Sequence, residues 1–481
     1  MAAVELRVDL STLIDAVVKG DNAEIISSAR SLLEQERNAD VLIGRVGILA
    51  SQGDPEGHVS ITLAAAAMLA RFLRARPAPL DTEAPLQTRA LPLFVRALST
   101  AAPAIRKGKD AKLESPRPFF PSELLDQGKS VNQVLNDAIQ QNDAALTERL
   151  LLGLYSTGAD YRTLQVRAYE AVATTFANGG HPLMDTVRGF QLLDAVEWGK
   201  QVPQLLHWLA PQLPIQPNKP NAAWVQTVRD FVADSKHSIA SVRTRLSAPK
   251  NANALPLQQV ILSNAETGAV CQQVYDAIIT GEATPLAVTA VAALAAAELL
   301  QSVGDADRDL FIRASHGLLF ASAARNALRQ VQDEELFTLV FTVAAYVNAL
   351  YKEIAPLASK ESTTASSAPA AAVGGGLIAV TQLETLEAQL KNKDIHGAYS
   401  TAQRYLKLGH DPRALFGTIG LVAAWNDTTL DQGHSLQIVQ AAGEEFTSWG
   451  KDLSTTNIDV FLQLALRAAA LGKRDTLIAQ V

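Results

Sequence analysis

One event recurs four times along the chain and limits its fold more than any other feature. A histidine follows a small residue at the mouth of an apolar stretch with helical period. Gly57-His58 opens HVSITLAAAAML, Gly180-His181 opens HPLMDTVRGFQLLDA, Ser315-His316 opens HGLLFASAARNAL, and Gly433-His434 opens HSLQIVQAAGEEF. A second pattern precedes each histidine. Asp15 to Asp21, Asp137 to Asp143, Asp276 to Glu282 and Ala388 to Asp394 are short amphipathic stretches closed by Gly or Asn (Lys in the fourth) and then an acid. In the first three the closing Gly or Asn reads as a helix C-terminus, and the acid as the N-cap or first-turn residue of the next helix; the fourth matches less closely. Two patterns in the same order, at similar spacing, predict an internal repeat.

Nearly every segment between linkers has helical period, and no stretch sustains two-residue alternation. The expected fold is all-α: four helical pseudo-repeats forming two similar halves, as a helical bundle or an α-solenoid-like stack. The units are expected at 1–114, 122–246, 256–358 and 377–481. Proline-rich breaks separate them at SPRPFFP (Ser115 to Pro121), at LAPQLPIQPNKP and at SAPKNANALPL (Ser247 to Leu257). Residues 359–376, SKESTTASSAPAAAVGGG within that span, lack large apolar side chains and read as a flexible Ala/Ser/Gly linker. One unit alone is too small to bury its apolar face, so neighbours must cover it.

Composition narrows the function classes. The 481 residues are 48% hydrophobic and 19% charged, which suits a large core rather than a disordered chain. A net charge of −7 without a dense Lys/Arg block argues against a nucleic-acid partner. The single cysteine, Cys271, lies in an apolar run, and no internal disulfide is available, so a reducing, cytoplasmic setting is expected. The longest apolar run, LAVTAVAALAAAELL from Leu286, reads as a buried helix rather than a membrane span.

The chemistry, if there is any, rests on His58, His181, His316 and His434. Near a helix start the positive end of the dipole disfavours imidazolium. A neutral ring can ligate a metal or act as a general base. If the four units face a common axis, the four rings meet in one cavity. The competing reading is a capping turn in each unit, with every imidazole bonded to its own backbone. Asp185, one turn after His181, is a candidate to orient that ring, to co-ligate a metal or to serve as a first-turn acid; its counterparts Thr62, Phe320 and Ile438 do not repeat it. Arg188 and Arg325 read as solvated helix-face residues or as holders of an anionic group. His410 reads as a structural turn residue, and His207 and His237 as packing or surface residues. No HExxH, EF-hand, phosphate-binding glycine loop or Gly-x-Ser-x-Gly elbow is present.

The stretch GGHPLMDTVRGFQLLDAVEWGKQVPQLLHWLAPQL resembles a bacterial helical domain that occurs fused to Rieske-type iron–sulfur domains. There, too, a Gly-His apolar helix precedes a segment like Leu193-Asp194-Ala195-Val196-Glu197-Trp198. More distantly it is similar to questin oxidase-like proteins, cofactor-independent oxygenases of aromatic polyketide metabolism with His-Pro-Leu helix starts. The match covers the region of His181, and the chain lacks the Cys-x-His pairs of an iron–sulfur cluster. The resemblance implies oxidation of an aromatic or polycyclic small molecule in a helical cavity. It makes His181, His316 and His434 the residues to test; spacing adds Asp185 to the catalytic candidates, with a His-ligated metal such as iron, or no cofactor at all. The alternative is a non-catalytic helical-repeat scaffold that binds a protein partner.

Overall fold

The computed structural model describes residues 9–36, 38–78, 86–109, 116–158, 161–173, 176–213, 222–234, 254–305, 307–331, 334–358, 378–452, 458–475 and 477–481. The expected linker at 359–376, His237 and most of the breaks at 214–221 and 247–253 lie outside them.

The chain is all-α, as expected, with no strand among the described residues. The first unit contains α1 (Ser11–Lys19), α2 (Asn22–Gln35), α3 (Ala39–Ser51), α4 (His58–Leu73) and α5 (Leu91–Gly108). The second contains α6 (Pro121–Leu125), α7 (Val131–Gln140), α8 (Ala144–Ser156), α9 (Tyr161–Ala173), α10 (His181–Ala195), α11 (Val202–Leu209) and α12 (Ala223–Asp234). The third contains α13 (Pro256–Ile261), α14 (Thr267–Ile279), α15 (Pro285–Ser302), α16 (Arg308–Gln330) and α17 (Thr338–Ala358). The fourth contains α18 (Ala379–Lys391), α19 (Ile395–Lys407), α20 (Pro412–Ala423), α21 (Thr428–Asp431), α22 (His434–Asp452) and α23 (Asp459–Leu471).

The turn that opens each unit is built alike. After α1, α7, α14 and α18 the chain passes through one left-handed residue: Gly20 (φ 75°), Asn142 (57°), Gly281 (83°) and Lys393 (61°). The next helix is then capped by a side chain. Asp21 accepts from the Glu24 amide (3.1 Å), Asp143 from Leu146 (2.9 Å) and Asp394 from Gly397 (2.9 Å). The third unit departs from the expected pattern. Its cap is Thr284, which accepts from the Ala287 amide at 3.0 Å, and Glu282 has no such role.

The third unit also has fewer helices between its opening turn and its histidine. The first and second place two helices there and the fourth three, the last of them the short α21, whereas here only α15 intervenes. Asp307 caps α16 through the Leu310 amide (2.9 Å), so the helix starts before the histidine is reached. His316 therefore stands inside a helix, which corrects the expectation that it opens one.

The four histidine-bearing helices, α4, α10, α16 and α22, pack as a closed ring in sequence order, each against two of the others. They run in the same direction. Beyond the histidines, Gln437 Nε2 on α22 donates to Thr62 Oγ1 on α4 (2.9 Å), and further along Phe72 lies against Gly443. Likewise, Arg188, Ser322 and Glu444, from α10, α16 and α22, meet at one level. Helices of the same sense cannot be joined by short loops, so the remaining helices of each unit return the chain to the starting end.

The ring closes between first and last units. The Arg96 guanidinium donates to the Ala424 carbonyl (2.8 Å) and pairs with Asp475 (2.8 Å), and Arg76 pairs with Glu387 (3.1 Å). Of the two arrangements expected, the chain adopts the bundle; an open solenoid keeps its end units apart. Among the described residues, α15 is the one helix with the length and hydropathy of a membrane span, and 78% of that window is buried in the protein core. Cys271 is buried on α14, and burial pushes its thiol up to about 12.

Candidate functional site: four histidines at one end of the bundle

The four recurrent histidines meet. His58 and His181 have ring centroids 5.0 Å apart, His181 and His316 5.2 Å, His316 and His434 5.1 Å, and His434 and His58 6.0 Å. They form a closed circuit in the order of the sequence, one ring from each unit. The Nε2 atoms of His316 and His434 are 3.5 Å apart. His434 is buried, and the other three rings are half-buried, so the cluster lies at an accessible end of the bundle.

The sequence produces this placement through its glycines. Gly57 (φ 80°), Gly180 (φ 94°) and Gly433 (φ 78°) each take the left-handed conformation immediately before a histidine. An L side chain pays a steric penalty there, so glycine suits the abrupt entry that makes the histidine the first helical residue. Space adds a second demand. A Cβ on Gly180 would come within 2.3 Å of the Phe320 ring, and one on Gly433 would collide with Thr62. Gly180→Ala should therefore lower stability by roughly 2–4 kcal/mol, combining backbone strain with a core clash. Urea denaturation measures this, and a loss under about 0.5 kcal/mol, the scale of an ordinary surface change, would contradict the tight packing.

Two of the rings are anchored identically. His181 Nδ1 donates to the Asn178 carbonyl and His434 Nδ1 to the Asp431 carbonyl (2.6 Å), three residues back in both cases. Each bond fixes the tautomer, leaving Nε2 with a free lone pair. Asp431 also caps the approach to α22, accepting from the amides of Gly433 (2.9 Å) and Ser435 (3.0 Å). His58 lacks this anchor. The carbonyl three residues back, on Pro55, accepts from Gln212 Nε2 instead (3.1 Å). His58 Nδ1 is buried without a hydrogen bond, with a Glu56 carboxylate oxygen 3.9 Å away.

All four rings are held neutral. Burial pushes His316 down to about 2, assisted by its three imidazole neighbours. Burial lowers His434 to about 4 against the opposing pull of its bond to Asp431. His58 and His181 are lowered too, again chiefly by burial. The N-termini of α4, α10 and α22 point their positive ends at the cluster and act in the same direction.

Several expected roles change. Asp185 is buried but makes no hydrogen bond to His181. Its Oδ1 has no partner and lies against Gly57, where a Cβ would strike it. Burial, with the nearby Asp54, raises its carboxyl well above the usual range. Arg188 and Arg325 are not solvated: both are buried, and both face acids from the distant fourth unit. Arg325 pairs with Glu445, and Arg188 pairs with Glu444 at 3.4 Å while donating to Gln191 (2.7 Å). These residues lie seven to eleven positions beyond their own histidines, about 10–16 Å along the helices. They lock the bundle below the histidine layer rather than hold a ligand in it. His207 is a surface residue bonded to Glu148 (2.8 Å), and His410 packs on Tyr405 in its turn, as expected.

An aromatic wall beside the cluster went unforeseen. Phe320 packs on Gly180, and the Tyr346 hydroxyl and the His316 ring both approach Gly179. Phe176 joins them, with ring centroids 4.7 Å from Tyr346, 4.7 Å from Trp224 and 5.3 Å from Phe320. These residues come from four segments with no shared motif, so nothing in the sequence groups them.

As the side chains stand, no group of three or more His, Cys, Asp or Glu donors among the described residues is already set around one ion. The donor set is nonetheless suited to one: the rings are neutral, two are fixed in a single tautomer, and one Nε2 pair is at 3.5 Å. Two ligands about 2.1 Å from a tetrahedral ion stand roughly 3.4 Å apart. Compared with known proteins, the chain matches no protein-family model, no curated protein and no solved structure.

Proposed function

We propose that the protein is an oxidoreductase in which His58, His181, His316 and His434 hold a transition metal, and that it acts on an aromatic or polycyclic small molecule at the histidine end of the bundle. The observation that carries this reading is the closed circuit of four neutral imidazoles, one from each unit. Desolvating four polar rings together is costly unless they share a partner. Neutral imidazole suits iron, copper, nickel and zinc, and the oxidative reading favours iron. When bound, the metal would supply the electron transfer that side chains alone lack.

The chain's own residues would do the rest. His181 and His434, tied to backbone carbonyls, hold fixed ligand directions. The second-layer pairs Arg188–Glu444 and Arg325–Glu445 keep the helices in register. Phe176, Phe320 and Tyr346 back the His316 side of the cluster with buried aromatic packing. The convergence favours this reading over the protein-binding scaffold, in which each histidine would serve only its own turn.

The test is metal content and absorption spectrum of protein reconstituted anaerobically with ferrous iron, wild type against His434→Ala. A stoichiometric metal in the wild type that is lost in a folded variant supports the proposal. A wild-type protein that retains no metal removes it. That result would leave cofactor-free general-base chemistry by the same neutral histidines, read out by whether aromatic ligands raise the melting temperature.

A further inference from the structure

His58 is the exception among the three histidines that open a helix. His181 and His434 donate Nδ1–H to the carbonyl three residues back, but at His58 that carbonyl is engaged by Gln212. A ring that presents Nε2 to a shared centre carries its proton on Nδ1, and such a proton is normally received by a carboxylate, a carbonyl or a water. His58 Nδ1 is buried with no receiver, and Asp185 Oδ1 is buried with no donor. Asp185 lies against the Cα of Gly57, the residue before His58. A buried donor and a buried acceptor, each without a partner and both beside Gly57, point to a buried water, which typically makes about three hydrogen bonds.

We infer that an ordered water at the start of α4 bridges His58 Nδ1 to Asp185 Oδ1, and that Asp185 is the positioning residue for the His58 ring. In the first unit a side chain from the second thus replaces the backbone carbonyl that the second and fourth units use. Gly57 is needed for this as well as for its φ, because any side chain there would occupy the place of the Asp185 carboxylate. The inference rests on the proposed site in taking His58 as one of its members, but the bridge itself needs no metal.

Two measurements on the full-length, metal-free chain test it. A high-resolution crystal structure of the wild type should contain a water within hydrogen-bond distance of both atoms; a dry gap, or a direct His58–Glu56 bond, overturns the inference. Solid-state NMR of protein carrying 15N-histidine, with His58 assigned through His58→Gln, should show the His58 Nδ1 resonance moved by Asp185→Asn and unmoved by Glu56→Gln. The resonances of His181, His316 and His434 should stay in place. Movement with Glu56→Gln alone, or of all four rings together with Asp185→Asn, contradicts a specific role for Asp185. A chain that binds no iron yet passes both measurements would discard the metal and keep the bridge.

Discussion

Arg325→Met should unfold at a markedly lower urea concentration than the wild type, with a loss of about 3–5 kcal/mol. Arg325 and Glu445 are both buried in the interior of the bundle and pair with each other across α16 and α22. Removing the guanidinium leaves a carboxylate with no counter-charge in a site that water does not reach, and that penalty exceeds the worth of the pair itself. The double variant Arg325→Met/Glu445→Leu should therefore recover most of the loss, because it removes both charges and keeps the volume. A double variant no better than the single one would mean that the guanidinium matters for its packing, not its charge. A single-variant loss below about 1 kcal/mol would place the pair among ordinary surface ion pairs, against its burial.

Acid should destabilise the metal-free protein through the same histidines proposed as ligands. His316 and His434 have folded-state values of about 2 and about 4, below the ordinary 6.5. As pH falls through 6.5 the unfolded chain takes up protons that the folded chain refuses. Their contribution is complete above pH 6.5 and drains away as pH drops, toward about 4 for His434 and about 2 for His316, at about 1.4 kcal/mol per pH unit for each ring. Asp54, Asp185, Asp194 and Asp431 work in the opposite sense. Burial raises their carboxyl values, so they favour the folded state as pH falls toward them. Comparison within one background separates the two effects. The stability of His434→Gln should fall less steeply than that of the wild type between pH 6 and 4.5, by about 1.4 kcal/mol per pH unit. Parallel curves would show that His434 already carries a proton in the folded state.

What was legible in the sequence was whatever depends on neighbours along the chain. Gly57, Gly180 and Gly433 announce a left-handed entry, and the histidine after each then opens a helix as expected. Asp21 and Asp143 announce their caps. His316 was misplaced because the cap that starts its helix is Asp307, well upstream, and Ser315 interrupts nothing. Arg188 and Arg325 were misread because their acids lie far away in the fourth unit, and an arginine on a helix gives no local sign of a buried partner. Asp185 was tied to His181 by helical spacing, whereas what surrounds it is Gly57 and Asp54 from another helix. The wall formed by Phe176, Trp224, Phe320 and Tyr346 exists only in three dimensions.

The circuit of four helices with one common direction has a counterpart in rings of four identical subunits around an axis. In such a ring every substitution is copied four times, and a change that harms one corner harms all of them. Here the four corners are joined in a single polypeptide, and each is free to diverge. They have done so already: His181 and His434 keep the carbonyl anchor, His58 has lost it, and His316 has moved into mid-helix. A site assembled this way can become lopsided, with one corner tight and another loose. That freedom distinguishes a centre that can offer a substrate one preferred side from one that is the same in every direction.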